Sequence, residues 1–301
     1  MGNHDQADCE YAAEILAGEN WPQAEQIQYM VGRILLNLQR GTAREVVRGE
    51  LGWCSLKARR EIKLLKLWGR ILKMDDARLV KSIYRSCKDQ TVSQKGSFCH
   101  TVYRSLVSLN LGHIWLSEQI GDFKKWVTSV SASVKERERD LWLLSLQQKS
   151  KLRLYRCLKT ELRVEEYLSW SVTVEQRSLY ARLRSGTHQL KIETGRWYQQ
   201  PEAERICYVC LTGKVENEGH FMLDCYRYNR LRDKLFASIK LQTGHDLKAF
   251  LDDREYMIDV LLGHGLASQV SRRSIGEAVC KFIADAMRVR KRVMKLVEAA
   301  K

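Results

Sequence analysis

Apolar residues recur every three to four positions along most of this 301-residue chain, which is the spacing of helices with one buried face. From Asp122 to Ser185 the chain contains neither glycine nor proline. Such an uninterrupted stretch favours helices. The pattern predicts helices over residues 24–40, 44–51, 56–74, 79–87, 97–116 with a break near 112, 122–130, 139–168, 174–184, 228–239, 247–262 and 275–300.

Residues at the ends of these stretches support the helix boundaries. Ser55 and Thr173 are predicted N-caps, and Gly186 and Gly244 follow the last apolar positions of two helices. The run over 139–168 is predicted as one long helix or two abutting ones. Strand alternation is confined to short pieces near residue 210, so the fold class is predicted to be mainly α.

Four residues with metal-binding side chains lie close together in the sequence: Cys207, Cys210, His220 and Cys225. Their spacing is C-x2-C-x9-H-x4-C, and three thiolates with one imidazole complete a tetrahedral zinc shell with no position left for water. A closed shell indicates a structural Zn2+ ion and not a catalytic one. The alternative is four unrelated residues in a cysteine-containing chain. We predict one zinc ion per chain, in a small knuckle surrounded by helical bundle-like segments.

The pattern and the charge together divide the chain into four predicted segments. An acidic segment and a helix span residues 1–43, and a basic helical region spans 44–172. The zinc knuckle with its flanking helices spans 173–243, and a helical region with a basic end spans 244–301. The knuckle alone is too small to bury a core, so we expect it to pack on its flanking helices.

The net charge of +15 indicates a polyanionic partner, and the charge is unevenly distributed. Residues 33–88 carry fifteen bases and five acids, residues 149–163 six and one, and residues 272–301 nine and three. Residues 196–236 carry seven bases and six acids, so the zinc region is almost neutral. We therefore expect helices away from the zinc to supply much of the charge in a nucleic-acid complex.

The candidate nucleic-acid contacts come from these basic helices and from the rim of the knuckle. They are Arg59, Arg60, Lys63, Lys66, Arg70, Lys151, Arg153, Arg156, Arg184, Arg196, Trp197, Arg205, Arg290, Lys291 and Arg292. Taken singly, each base is better explained as part of a solvated helix face. For the block over 33–88 taken together, a phosphate-facing surface and a solvated face are equally supported. Trp197, Tyr198, Tyr208 and Phe221 are candidates for stacking on unpaired bases, with packing preferred for Phe221.

The cysteines and the N-terminus argue against a secreted or membrane protein. Nine unevenly spaced cysteines do not form a disulfide framework, and residues 1–8 lack the basic start and apolar run of a signal peptide. No apolar stretch reaches membrane-spanning length. We expect an intracellular, nuclear protein with a cytoplasmic phase, no membrane contact and no small-molecule substrate. The oligomeric state is left open.

Three stretches, over 49–71, 179–196 and 205–232, together resemble the C-terminal part of eukaryotic non-LTR (LINE-type) retrotransposon reverse transcriptases. The resemblance covers roughly 44–301 and is most specific over 175–236. In that family a zinc knuckle follows the polymerase palm and is thought to help hold template RNA or target DNA. The resemblance implies that the four Cys and His residues above are metal ligands and that the partner is RNA, DNA or both.

The residues that polymerase chemistry needs are missing from this chain. The Asp75-Asp76 pair lacks the aromatic residue of the family signature and stands at a predicted helix start. The run from Phe250 to Asp253 matches the letters but lies among helical sequence after the zinc region, so both pairs are interpreted as caps or solvated turns. No His, Asp and Glu cluster suggests an endonuclease. We therefore expect no enzyme activity.

The sequence therefore predicts a zinc-containing remnant of a non-LTR reverse transcriptase, which binds nucleic acid and has no catalytic activity. A truncated element copy, an incomplete gene model and a host-retained gene remain equally compatible with it. The alternative function is a helical protein-interaction module in which zinc is purely structural, and the near-neutral knuckle favours that alternative.

Overall fold

The computed structural model describes residues 14, 20–89, 95–265 and 269–299. About 70% of the structure is helical and the described residues contain no strand, which confirms the mainly α prediction. No helix among them is long and apolar enough to span a membrane. The α-helices are α1 (Pro22–Leu35), α2 (Arg44–Leu51), α3 (Leu56–Leu72), α4 (Leu79–Lys88), α5 (Phe98–Ser108), α6 (Gly112–Ser117), α7 (Phe123–Gln147), α8 (Tyr155–Leu158), α9 (Val174–Arg184), α10 (Lys191–Trp197), α11 (Asn229–Thr243), α12 (Arg254–Leu262) and α13 (Gln269–Ala299).

The predicted caps are formed by local side-chain hydrogen bonds. Ser55 accepts the N–H of Ala58 at the start of α3, and Thr173 forms a reciprocal capping box at the start of α9. Asp253 accepts the N–H of Tyr256 and caps α12, while Asp75 accepts the N–H of Ala77 in the turn before α4. The two Asp pairs are thus a cap and a turn, as predicted.

The described chain forms two compact units. Of the described residues, the first unit contains 20–29, 54–89 and 95–144, and the second contains 30–53, 145–265 and 269–299. The predicted basic region over 44–172 is therefore shared between the two units. Its first ten residues pack with the chain after 145, because α2 is tied to that chain by backbone contacts described below.

The first unit is built on an aromatic core between α3, α4, α5, α6 and α7. The ring of Trp68 stacks on Trp115 with centroids 5.9 Å apart and meets Trp126 edge-on at 5.7 Å. The indole N–H of Trp68 donates to the Tyr84 hydroxyl, and that of Trp126 donates to the Leu65 carbonyl. The polar atoms of these buried rings are thus paired, which lets large side chains fill the interior without an unpaired donor.

The second unit is organised around the long helix α13, which packs against α9 and α11. Its buried side includes Val279, Phe282, Ile283 and Ala286, as the apolar spacing predicts. Gly276 lies directly against the Trp170 ring, and a Cβ at this position would overlap the ring. The absence of a side chain there is what lets α13 approach so closely.

The predicted helix over 139–168 is wrong in its second half. Helix α7 ends at Gln147, and the chain then passes through short turns and α8. Tertiary contacts outweigh helix propensity here, because Val164 pairs with Leu51 of α2 and the N–H of Glu165 donates to the Glu50 carbonyl. Those contacts place Glu165 against buried Arg184, which a continuous helix does not allow.

Candidate metal centre

The four predicted metal ligands form one buried cluster in the second unit. The ligand atoms of Cys207, Cys210, His220 and Cys225 all lie within 4.8 Å of one another. All four residues are buried, so water has little access to the thiols and the ring. The structure thus confirms that these residues come together in a group suited to one metal ion.

A tight turn brings the first two cysteines to the same side. The N–H of Cys207 donates to the carbonyl of Lys214, and Ile206 pairs with Val215 in a single antiparallel bridge. The turn between these arms needs left-handed backbone at Leu211 (φ 57°) and Gly213 (φ 73°). Glycine adopts this conformation without strain, and the turn therefore explains why a glycine stands at position 213.

A single wide helical turn, His220–Asp224, positions the other two ligands. The N–H of Cys225 donates to the His220 carbonyl at 2.8 Å, and Asn217 accepts the N–H of His220. Phe221, inside this turn, is fully buried with its ring 5.1 Å from that of Tyr228. The preferred interpretation of Phe221 as a packing residue is confirmed, and it anchors the turn.

The orientation of the histidine ring identifies Nε2 as the ligand atom. His220 Nε2 lies 3.4 Å from the sulfur of Cys210, whereas Nδ1 faces the carboxylate of Asp224 at 4.0 Å. Asp224 is held by two hydrogen bonds from Arg254, of 2.8 and 2.7 Å. At 4.0 Å the carboxylate forms no hydrogen bond with Nδ1, so it acts on the ring only through its charge. Sequence reasoning missed this Asp and Arg pair.

The Cys207 thiol resists ionisation unless a cation is present. The hydrogen bond with Cys225, followed by burial, raises the pKa of Cys207 to about 12. A bound divalent cation reverses this effect, because a coordinating thiol is deprotonated outright. Four converging donors, with no fifth ligand in the part of the chain that the structure describes, fit a closed structural site. The soft thiolates favour a metal of the zinc type.

Two acidic residues between the ligands, both missed by sequence reasoning, join the metal segment (residues 207–225) to its surroundings. The carboxylate of Glu216 accepts two hydrogen bonds of 2.8 Å from Arg290 of α13 and one from the N–H of Lys191 in α10. Glu218 accepts hydrogen bonds from Arg153 and from the ring of His188. In the sequence these residues are only part of a polar connection, because nothing in the spacing shows that they are buried.

Three of the predicted nucleic-acid contacts lie in the interior. Arg184 is 1% exposed and pairs with Glu165, and Arg290 pairs with Glu216 as described. Arg60 is 4% exposed, with its guanidinium 5.8 Å from the centre of the Trp21 ring. Buried arginines that hold carboxylates or rings stabilise the fold, and their guanidinium groups are not available to phosphates here.

Three further predicted contacts are half-buried and engaged in the structure of the second unit. Arg153 bridges Glu193 and Glu218, with N–O distances of 2.6 Å to each. Arg205 donates to the backbone carbonyls of Ile192 and Gln200, which fixes the approach to the metal segment. Arg196 donates to Ser150. These residues support the site and are weaker candidates for ligand contact.

The remaining predicted contacts retain access to solvent. Lys66 and Arg70 project from α3 in the first unit, and Lys291 and Arg292 from α13 in the second. Trp197 is 62% exposed at the end of α10. Arg156 is also exposed, and Arg59, Lys63 and Lys151 are half-buried.

Comparison of the chain with family models, curated proteins and solved structures gives no match.

Proposed function

We propose that this chain is a non-catalytic nucleic-acid-binding protein whose second unit is stabilised by a zinc ion on Cys207, Cys210, His220 and Cys225. One observation carries the proposal. Arg288, Lys291, Arg292 and Lys295 lie at positions i, i+3, i+4 and i+7 of α13 and are all exposed. That spacing places them on one face of the helix, where they form a basic stripe.

The stripe belongs to a helix that is fixed to the metal segment. Arg290, on the opposite side of α13, is buried against Glu216, and the ring of Phe282 lies 6.1 Å from that of Phe221. A helix held in this way presents its charges without a large entropy loss on binding. These two contacts join the metal segment to the helix that carries the basic stripe.

The charges of the stripe are only partly compensated by the protein. Arg288 pairs with Asp285 on the same helix and with Glu175 of α9. Lys291, Arg292 and Lys295 form no ion pair with a described residue. Like charges on one helix face repel each other, and a polyanion that binds there releases counterions. A phosphate backbone is the polyanion that this charge pattern fits best.

The proposal extends the resemblance to non-LTR reverse transcriptases. In that family the zinc knuckle is thought to hold RNA or DNA, and here the candidate knuckle adjoins a basic helix. Catalysis is not part of the proposal, since Asp253 caps α12 and Asp75 closes a turn. A nuclear location follows as a further expectation of the same resemblance.

The test is affinity for a structured RNA, a single-stranded DNA and a duplex DNA across a salt series. We expect affinity that falls steeply with salt, because several phosphates are contacted. Metal analysis of the same sample is expected to give one zinc per chain. Absence of binding at low salt, or affinity that is independent of salt, would contradict nucleic-acid binding. Absence of zinc would contradict the assignment of the metal.

A second candidate function is supported by α4 in the first unit. Leu79, Val80 and Ile83 are 74%, 48% and 53% exposed on this helix. An exposed apolar helix face is typical of a surface that binds another protein. A helical interaction module with structural zinc therefore becomes the better proposal if no nucleic acid binds.

A further inference from the structure

We propose that a groove between α9, α10 and α13 binds a short single-stranded segment of nucleic acid. Trp197 and Tyr198 stack on unpaired bases at its edge, and Lys191, Lys291 and Lys295 contact phosphates. The inference rests on the proposed function and specifies the form of nucleic acid and the residues that hold it.

The groove has the size and charge that a single strand needs. Its volume is about 600 Å3, which lies in the range of sites that hold small organic ligands. Six basic and two acidic side chains line it. Arg290 is paired with Glu216, and Arg288 with Asp285 and Glu175, so the positive charge of the walls comes from the other four basic side chains. A duplex is much wider than a cavity of this size, whereas one or two bases of a single strand fit inside it.

The apolar part of the groove suits the faces of bases. Leu179 of α9 and Ala284, Met287 and Met294 of α13 line it. Methionine side chains adapt their shape to flat ring systems. The combination of an apolar lining with basic walls distinguishes this groove from a surface that attracts anions through charge alone.

Two aromatic side chains stand at the end of α10, where the groove opens. Trp197 is 62% exposed and Tyr198 is 75% exposed, although both belong to residue types with large apolar surfaces. Exposed aromatic rings beside a positive groove are the usual stacking platforms of single-strand-binding proteins. The bases of a duplex are already stacked on each other and offer no free face to these rings.

The lysines are placed to follow a phosphate backbone past the aromatic pair. Lys291 and Lys295 lie one helical turn apart on the groove side of α13 and form no ion pair with a described residue. Lys191 begins α10, and its Nζ lies 4.7 Å from the centre of the Tyr208 ring. That contact holds the Lys191 ammonium group in place without neutralising its charge.

The metal segment fastens two walls of the groove to each other. Glu216 accepts the N–H of Lys191 at the start of α10 and two N–H groups of Arg290 in α13. The N–H of Ile192 also donates to the Glu216 carbonyl. Glu216 lies in the metal segment between Cys210 and His220, so the groove depends on the metal for its shape.

The stacking contacts are tested by fluorescence anisotropy with the zinc-loaded full chain. The probes are labelled oligo(dT) and oligo(rU) of about 12 nucleotides, a length within the site sizes of single-strand-binding proteins. Trp197→Ala and Tyr198→Ala are each expected to weaken binding by about tenfold, since base stacking contributes at that level. Tyr226→Ala, which removes a 53% exposed ring that does not line the groove, is the control and is expected to have no effect.

The phosphate contacts are tested with the double variant Lys291→Ala/Lys295→Ala. The plot of log affinity against log salt has a negative slope. Loss of two phosphate contacts on a single strand is expected to make that slope less steep by about 1.4. The control, Lys281→Ala, changes an exposed lysine of the same helix that does not line the groove, and it is expected to keep the slope.

The outcomes separate this inference from the function on which it rests. Groove variants that behave like their controls, in a wild type that binds with steep salt dependence, overturn the groove and leave nucleic-acid binding intact. Wild-type protein that binds no nucleic acid overturns both. Equal competition by inorganic polyphosphate, or tighter binding to a hairpin duplex than to either oligonucleotide, also overturns the groove. Losses seen only with oligo(rU) or only with oligo(dT) support it and identify the strand.

Discussion

The first unit and the metal segment of the second unit are stabilised in different ways. The first unit buries large rings such as Trp68 and Trp126 among aliphatic side chains. The metal segment buries four metal-binding side chains and the carboxylates of Glu216 and Glu218. An apolar core forms whenever the helices assemble, whereas a cluster of thiols and carboxylates needs a cation and matching arginines. The comparison predicts that the two regions respond to different perturbations.

The largest expected effect is that of removing the metal. In isolated zinc fingers the apparent binding free energy is about 10 kcal/mol or more, and it acts as folding free energy. Chelation, or Cys210→Ser, is therefore expected to unfold residues 196–236 locally and leave the first unit folded. Hydrogen exchange followed by mass spectrometry measures both regions in one sample. Unchanged protection of 196–236 after the metal is gone would contradict a metal-dependent segment.

A core truncation in the first unit provides the opposite perturbation. Trp68 is fully buried and meets two other tryptophans, so Trp68→Ala is expected to lower the free energy of unfolding by about 3–5 kcal/mol. The zinc content is expected to stay at that of the wild type. Denaturant unfolding gives the first quantity and metal analysis the second. A variant that folds normally but loses its metal would show that the two regions are not independent.

The buried ion pair of Glu216 and Arg290 tests the link between the metal segment and α13. Glu216→Gln leaves the buried guanidinium without its counter-charge, and we expect a loss of about 3 kcal/mol. Glu298→Gln, at an exposed position of α13, is the matched control with no expected effect. Thermal unfolding of the zinc-loaded variants measures the difference. Equal stability of the two variants would argue against a fastening role for Glu216.

The smallest expected effect concerns acid pH and the Glu165 cluster of the second unit. Burial opposes the ionisation of Glu165, but Arg184, His264 and Lys159 outweigh it, and the pKa of Glu165 is well below its usual range. A carboxyl group whose pKa is lowered by folding stabilises the protein above about pH 4 and loses that contribution as the pH falls. Acidification is therefore expected to destabilise the second unit.

The contribution of His264 can be measured separately. His264→Ala removes one group that lowers the pKa of Glu165, so stability is expected to be lost at a higher pH than in the wild type. The ring of His264 is partly exposed, so we expect an effect of at most about 1 kcal/mol. Unfolding curves between about pH 3 and pH 7, with zinc content followed in parallel, measure it. Superimposable pH profiles would contradict the role of His264.

The features that sequence reasoning identified depend on residues close together in the chain. The spacing of Cys207 and Cys210 defines a turn, and the apolar face of α13 follows from one helical period. The caps at Ser55 and Thr173 bond to residues three positions away. Each of these contacts is local, so the sequence pattern contains the information needed to predict it.

The features that it missed depend on distant partners. Arg290 is buried because Glu216 lies against it, 74 positions away in the sequence. Arg184 is buried against Glu165, and the predicted helix over 139–168 ends early because Glu165 must also reach α2. A charged residue on a predicted helix is expected at the surface unless its partner is known. The predicted phosphate contacts therefore include buried arginines that phosphates do not reach. Only the exposed residues among them remain candidates.

One measurement tests most directly whether the metal segment orders a surface that binds nucleic acid. It compares the affinity of zinc-loaded and metal-free protein for the same oligo(dT) of about 12 nucleotides across one salt series. We predict that the metal-free protein binds at least about tenfold more weakly, and that added zinc restores both the affinity and the salt slope. Metal-free protein with unchanged affinity and slope would contradict this prediction, because the metal segment would then have no part in holding the groove.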